Sequence, residues 1–233
     1  GELQKFLSKT GKPFVGGDWK GFKKGWHKIL FKKFCEKNKI LTPKWKVVST
    51  QDDIIKFGLP CVLKASNGGS SKEVVILKTK KDLNKKGAIN LLKSDLPLFI
   101  EKYLLGVEVT VGVLGKEALP VIEIIPPKGE WFSYENKYSN KTNAIPFAPS
   151  ISKAIQTQVQ NIALKIHTTL NLVHLSRTDF IVSDNIPYAF DVNTIPGMTP
   201  KSLFPKAAKS AGISFRFLTQ KLVELAYESK ENI

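Results

Sequence analysis

Apolar positions along the chain recur with two periods, and the switch between them marks out the elements. The opening "ELQKFLSKTGK" reads as a short helix, followed by a turn at Gly16-Gly17. Asp18 is placed to cap a second helix, in which Trp19, Phe22, Trp26, Ile29, Leu30 and Phe34 recur at helical spacing. "WKVV" and "CVLKA" read as strands joined by a short helix near "TQDDIIKFG". The loop "NGGSS", a returning strand "EVVIL" and a helix over "KTKKDLNKKGAINLL" come next. Three strands follow closely, "LFIEKYL", "VEVTVGVLG" and "ALPVIEII", and then a polar loop with a few aromatics over 126–150. Loops of that length inside a compact domain are usually functional or disordered. Ser150 is expected to cap a helix that carries Ile155, Val159, Ile162, Ile166 and Leu170 on one face. Two strands, "LSRTDFIV" and "PYAFDVN", are linked by the turn "SDNI", and two helices close the chain. Strands and helices mix without strict βαβ alternation, so the expected class is α+β in two lobes.

Composition changes this picture little. With 233 residues, 42% hydrophobic and 24% charged, the chain can bury one large core or two small lobes. No stretch approaches the roughly 18 consecutive apolar residues of a membrane span, and no signal-peptide pattern opens the sequence. Cys35 and Cys61 sit in apolar surroundings without CxxC spacing, as reduced thiols of a cytoplasmic protein would. His27, His167 and His174 lack the spacing of zinc ligands.

Charge is distributed unevenly. Residues 1–93 hold 22 lysines against 7 acids, while the remainder holds 14 basic against 13 acidic residues. A basic half can face nucleic acid or a phosphate-bearing ligand. Here the bases are nearly all lysine, without arginine forks and interleaved aromatics, which favours a solvated surface and excludes nucleic acid as the expected partner.

The candidate chemistry gathers late in the chain. Arg177 and Asp179 are two apart on one strand and share a face, as do Asp191 and Asn193 on the next. A tight turn would make these strands antiparallel neighbours about 5 Å apart, so all four side chains converge. An arginine among two acids and an amide suits a magnesium–polyphosphate site; it equally suits a structural Arg–Asp pair. Upstream, "VLKASNGGSS" ends an apolar strand on Lys64, just before a small-residue loop that can wrap phosphates with backbone N–H groups. "FIEKYLLGVE" leads Glu101 and Lys102 into a hinge, with Glu108 beyond it. Such a hinge can read an adenine through backbone groups and a ribose through the acid.

Taken in order, "GLPCVLKASNGGSS", "IEKYLLGVEVTVGVLGKEALPVIEI", "YENKYSNKT", "RTDFIV" and "DVNTIPGMTPKSLFPKAAKSAGISF", with the closing helix, resemble segments of the D-alanine–D-alanine ligases. The resemblance runs from about residue 1 to residue 228 and covers the ATP-grasp portion of that family. It implies two α/β lobes with the nucleotide between them: 19–102 as the small lobe and 103–233 as the large lobe. Residues 1–18 would be the end of a preceding domain. It also implies a ligase that joins two D-alanines in the cytoplasm for peptidoglycan synthesis, using ATP and Mg²⁺ (or Mn²⁺), as a homodimer away from any membrane.

By the same resemblance Lys28 and Lys64 bind ATP phosphates, with Ser70 and Ser71 in the covering loop. Glu101, Lys102 and Leu104 line the adenine pocket, and Glu108 holds the ribose. Lys137 and Tyr138 belong to a loop that closes over nucleotide and substrate. Arg177 stabilises the transferring phosphoryl group, and Asp179, Asp191 and Asn193 hold metal. Gly197 and Ser202 contact the intermediate and the second substrate's carboxylate. Four places depart from the family pattern: Asp191 stands for a glutamate, Ser176 for a glycine, Lys201 for a histidine, and Lys72-Glu73 for Val-Gly. The chain also begins where the family's N-terminal domain ends. That domain is expected to supply the acid for the first D-alanine's ammonium, so slow turnover by this chain alone is expected. A catalytically impaired ATP-binding module is the alternative.

Overall fold

The computed structural model describes residues 1–68, 73–127 and 142–231. Among the described residues the strands form two antiparallel sheets. The smaller one orders as β1-β4-β2-β3: β1 (Trp45–Val48), β4 (Leu98–Lys102), β2 (Cys61–Ala65) and β3 (Val74–Leu77). The larger runs β10-β9-β5-β7-β8: β10 (Ile186–Asn193), β9 (Leu175–Ser183), β5 (Val107–Leu114), β7 (Ile122–Ile125) and β8 (Asn143–Pro146). A short β6 (Glu117–Ala118) folds back on β5. The four residues 103–106 carry the chain from one sheet to the other. This is the two-lobed α+β architecture expected from the sequence.

Helices α4 (Gln51–Phe57) and α5 (Lys86–Leu92) close the core of the small sheet, burying Ile54, Ala88 and Leu91 against Leu63, Leu77 and Ile100. On one face of the large sheet lies α6 (Lys153–Thr169), whose Val159, Ala163 and Ile166 pack on Val109, Val111 and Phe180. Full burial of such side chains is worth about 1.5–3 kcal/mol each for the larger ones. On the other face, α7 (Leu203–Ser210) and α8 (Phe215–Glu231) cover only one end. Along β5 that face reads Glu108, Thr110, Gly112, Leu114. Leu114 packs under α7, and a Cβ at Gly112 would lie 2.9 Å from the Phe204 ring. The end carrying Glu108 and Thr110 is left uncovered by these helices, and there the cleft opens.

Several elements differ from the expected ones. The apolar run from Trp19 to Phe34 is two helices, α2 (Trp19–Trp26) and α3 (Lys28–Lys37), broken at His27 with φ −86° and ψ 105°. Asp18 caps α2 as expected, accepting from the Gly21 amide at 3.3 Å. The buried positions of α2, however, are Gly21 and Gly25 rather than its aromatics. A Cβ at Gly21 would sit 1.5 Å from the Leu170 carbonyl oxygen, so only glycine permits the approach. Both helices pack with the large sheet, and Phe31, Phe34 and Cys35 belong to its core. The segment read as one helix over 78–92 is a 3₁₀ turn over Lys80–Asn84 followed by α5. Part of the expected loop is strand β8, paired with β7. Finally, Ser152 rather than Ser150 caps α6, because Ser150 is engaged with both oxygens of the buried Glu123. The opening helix, α1 (Glu2–Ser8), is shorter than the expected run to Lys12.

Candidate functional site

A cleft of about 880 Å³ lies between the two sheets. Val62 and Ile76 of the small sheet and Ile181 and Phe190 of the large one give it apolar walls, while Lys28, Lys64, Glu108, Arg177, Asp179, Asp191 and Asn193 line it with charge or amide. Tyr103 and Leu104 of the linker between the sheets line the cavity, where Glu101 and Lys102 also border it. Gly197, Lys201 and Ser202 border it beyond β10.

The β9–β10 ladder sets the polar wall. A two-residue turn, Asp184 (φ 52°) and Asn185 (φ 60°), is the left-handed pair that matches strand twist in a tight hairpin. From that turn the register pairs Tyr188 with Ile181 and Ala189 with Phe180. It then skips one residue, so that Asp191 faces Asp179 and Asn193 faces Arg177. The skipped residue, Phe190, forms a β-bulge. The bulge lets Phe190 and Asp191, consecutive in sequence, both line the cleft, while Ala189 and Val192 stay in the core. Without it Asp191 would lie opposite Thr178, and the two acids would not face each other.

Asp179 is buried and firmly held. The Arg177 guanidinium donates a two-pronged pair to it, Nε to Oδ1 at 3.0 Å and Nη2 to Oδ2 at 3.1 Å, and Thr110 Oγ1 on the neighbouring β5 donates to Oδ1 at 2.6 Å. Burial opposes the Arg177 charge, yet Asp179, Asp191 and Glu108 together raise its pKa above the ordinary arginine value. Asp191 takes Lys28 Nζ on both oxygens, at 2.9 and 2.8 Å, and its side chain is 30% exposed.

A second charged cluster belongs to the small sheet. Glu101 is bracketed by Lys32 on one carboxylate oxygen and Lys64 on the other. Its side chain is 4% exposed. Burial works against the Glu101 charge, but the two lysines more than offset it and hold its carboxyl below the usual range. Burial pulls Lys32 below the ordinary lysine value, with Glu101 opposing. Lys64 also lies 5.0 Å over the Phe190 ring, a cation–π contact that ties the two sheets across the cleft. The base of the loop after β2 is pinned to α3. Ser66 accepts from the Lys28 amide on its carbonyl and from the Ile29 amide on its hydroxyl, both at 3.0 Å, and the hydroxyl pairs with His27 Nδ1 at 2.5 Å.

The structure therefore brings together Lys28, Lys64, Arg177, Asp179, Asp191 and Asn193, with Glu101, Lys102, Leu104, Glu108, Gly197 and Ser202 around the same cavity. Ser70, Ser71, Lys137 and Tyr138 lie outside the described residues. Ser202 sits at the N-terminus of α7, where its hydroxyl accepts from the Thr199 amide at 3.2 Å and leaves no side-chain cap on the helix. Three contributors were not singled out from sequence: Lys32, Thr110 and Phe190. Lys32 carried a signal, being four residues after Lys28 and so on the same helix face. The buried thiols of Cys35 and Cys61 are unpaired, pushed up by burial to about 12 and about 11.

Comparison with known proteins decides the family. Residues 28–224 match the family described as "D-ala D-ala ligase C-terminus". The D-alanine–D-alanine ligase of Maridesulfovibrio salexigens is 36% identical over 99% of the chain and 78% of the relative. That of Methylacidiphilum infernorum is 38% identical over 97% and 74%. The chain belongs to the D-alanine–D-alanine ligase family. Its fold agrees with the D-alanine–D-alanine ligase of Bacillus anthracis at a TM-score of 0.84 and 30% identity, covering 100% of this chain and 77% of that one. The structure of that enzyme complexed with ATP gives 0.82 at 29% identity, over 100% of this chain and 76% of that one.

Membership in the ligase family gives the chain the ATP-grasp fold and the function of an ATP-dependent D-alanine–D-alanine ligase, rather than that of an impaired module. One family departure has a visible accommodation. Ser176 points away from the cleft into the core, where its hydroxyl pairs with His167 Nδ1 at 2.8 Å, so it does not alter the polar wall. Burial lowers His167 to about 4, which keeps this partner neutral. Among the described residues no helix is long and apolar enough to cross a membrane.

Proposed function

We propose that the cleft binds Mg·ATP and two D-alanines, and that the β9–β10 ladder carries the phosphoryl transfer that activates the first. The observation that supports this most is the pairing of Asp191 with Asp179 and of Asn193 with Arg177 at alternate register positions, with Lys28 of α3 on Asp191. In this reading the apolar walls take the adenine against the Glu101–Leu104 backbone, Glu108 takes the ribose, and Lys28 and Lys64 neutralise phosphates. Ser70 and Ser71 would cover the phosphates, and Lys137 and Tyr138 would close over nucleotide and substrate.

The donor set fits a hard divalent cation. Asp179, Asp191 and Asn193 offer hard-oxygen donors on one face, and Asp191 holds a displaceable lysine on both oxygens, as a carboxylate awaiting a metal does. Mg²⁺ bound there would neutralise charge on the β- and γ-phosphates. Asp191, one methylene shorter than the family's glutamate, is set opposite Asp179 by the bulge.

The chemistry follows from what each residue can do. The carboxylate of the first D-alanine forms a bond to the γ-phosphorus as the bond to the β,γ-bridging oxygen breaks, giving an acyl phosphate and ADP. Arg177 lies where charge gathers on the transferring group and offsets it. The amine of the second D-alanine, having lost a proton, then forms the C–N bond, and phosphate leaves with the C–O electron pair. Its carboxylate is held by the Gly197 amide and Ser202 at the α7 N-terminus, where backbone N–H groups point outward.

The test is a coupled assay of ADP release with ATP and Mg²⁺, with and without D-alanine, alongside detection of D-alanyl-D-alanine. D-alanine-dependent release with one dipeptide per ADP is expected, at the slow rate anticipated for this chain alone. Intact Mg·ATP binding with no D-alanine-dependent release from the protein would instead support the impaired module.

A further inference from the structure

Helix α3 presents two lysines one turn apart, and only Lys28 lines the cleft. Lys32 is fully buried, a place where lysine is almost never found without a partner. Its ammonium donates to Thr42 Oγ1 at 2.6 Å and pairs with one oxygen of Glu101. The other Glu101 oxygen pairs with Lys64, which does line the cleft. The row Lys32–Glu101–Lys64 also crosses between lobes. Helix α3 is rooted in the core of the large sheet through Phe31, Phe34 and Cys35, whereas Glu101 and Lys64 are on neighbouring strands of the small sheet.

We propose that Lys32 is a positioning residue for nucleotide binding, setting through Glu101 how much of the Lys64 charge is available to phosphates. The proposal rests on reading the cleft as a Mg·ATP site. A single carboxylate between two ammonium groups leaves the row with one net positive charge, and that charge sits at the cleft end, on Lys64. Without Lys32 the carboxylate is neutralised by Lys64 alone. The pair at the cleft then has no net charge to offer an anion, and Lys64 is drawn back toward Glu101. In a poorly solvated setting such charge balance is not screened away. A merely bracing role for Lys32 makes a different forecast, because bracing depends on the contact and not on the charge count.

The experiment is calorimetric titration of Mg·ATP into the parent, Lys32→Met and Lys32→Gln, with thermal unfolding of each. Both variants remove the charge, but Lys32→Gln keeps a polar group that can still meet Thr42 and Glu101. Both are expected to weaken binding at least about tenfold. A Lys32→Gln that binds within about threefold of the parent would show that the contact and not the charge matters, and overturns the proposal. Should Lys32→Met not fold, Lys32→Gln alone is read against the parent: a loss of about tenfold supports the proposal and affinity within about threefold overturns it. A parent that takes up no Mg·ATP would remove the nucleotide reading itself, and this proposal with it.

Discussion

Two lysine–carboxylate pairs hang from the same helix, and they have opposite characters. Lys28 meets Asp191 at the mouth of the cleft, with the acid 30% exposed, whereas Lys32 meets Glu101 in the interior, with the acid 4% exposed. In the proposed reading the outer pair is the one that exchanges partners, its lysine turning to a phosphate and its carboxylate to a metal. The inner pair has no such freedom, because neither ion can be left alone at that depth without a large desolvation cost. Burial, rather than residue type, separates the site's working acid from its fixed one. The ladder repeats the contrast on a smaller scale, since Asp179 is buried and locked by Arg177 and Thr110 while Asp191 opposite it is more exposed and holds Lys28 on both oxygens.

The largest effect is expected where the locked acid holds the reacting group's partner. Arg177→Met should lower the turnover of D-alanyl-D-alanine synthesis by about 10³-fold or more, since an arginine placed on a transferring phosphoryl group is worth that much. Steady-state kinetics at saturating ATP measure it. A loss confined to KM for ATP would move Arg177 from the transfer step to simple nucleotide binding.

Next in size is the inner pair. Glu101→Gln leaves Lys32 buried without a counter-ion and should cost about 3–5 kcal/mol in urea unfolding. The pH dependence carries the same information. Glu101 titrates lower in the folded protein than unfolded, so its stabilisation is full above its ordinary value of 4.5 and is lost as pH falls through the folded value. The acid-side loss of stability should therefore be shallower in Glu101→Gln. An unchanged acid limb would mean that the carboxylate gains nothing from its two lysines.

The ladder sharpens the comparison further. If both acids served only as metal ligands, replacing either Asp179 or Asp191 would leave the ligand-free protein nearly unchanged or more stable. The geometry separates them. Asp179→Asn breaks the fork to Arg177 and should cost about 2 kcal/mol without ligand. Asp191→Asn disturbs a partly buried pair that water still reaches and should cost less, about 1 kcal/mol. Both should weaken Mg²⁺-dependent ATP binding. Equal apo stabilities for the two variants would erase the distinction drawn between them.

Much of this arrangement was readable in the sequence because it follows period-2 alternation. Arg177 and Asp179, two residues apart between core positions, had to share a face, and the Asp184-Asn185 turn had to make their neighbour antiparallel. The features that escaped are set by contacts between distant segments. Nothing local stops a helix at His27, where the apolar spacing runs on; the break comes with Ser66, just after β2, capping α3. The apolar face of α2 pointed to its aromatics, but close approach of the Leu170 backbone selects Gly21, and of the Thr194 and Val192 side chains Gly25. The bulge at Phe190 is silent in the pattern, since one inserted residue looks like ordinary alternation until the partner strand is known. Lys32 reads as one more surface lysine in a basic half, and only its pairing with Glu101 reveals it as interior.

The central claim is that these two charge clusters form one Mg·ATP site between the lobes. It is tested most directly by titrating ATP into the protein with Mg²⁺ and again with a chelator, for the parent and for Asp191→Asn. One ATP per chain is predicted, with affinity at least about tenfold weaker when the metal is removed. Asp191→Asn should bind like the metal-depleted parent and gain little from added Mg²⁺. Tight binding indifferent to metal in both proteins, or no ATP uptake by the parent, would contradict the account.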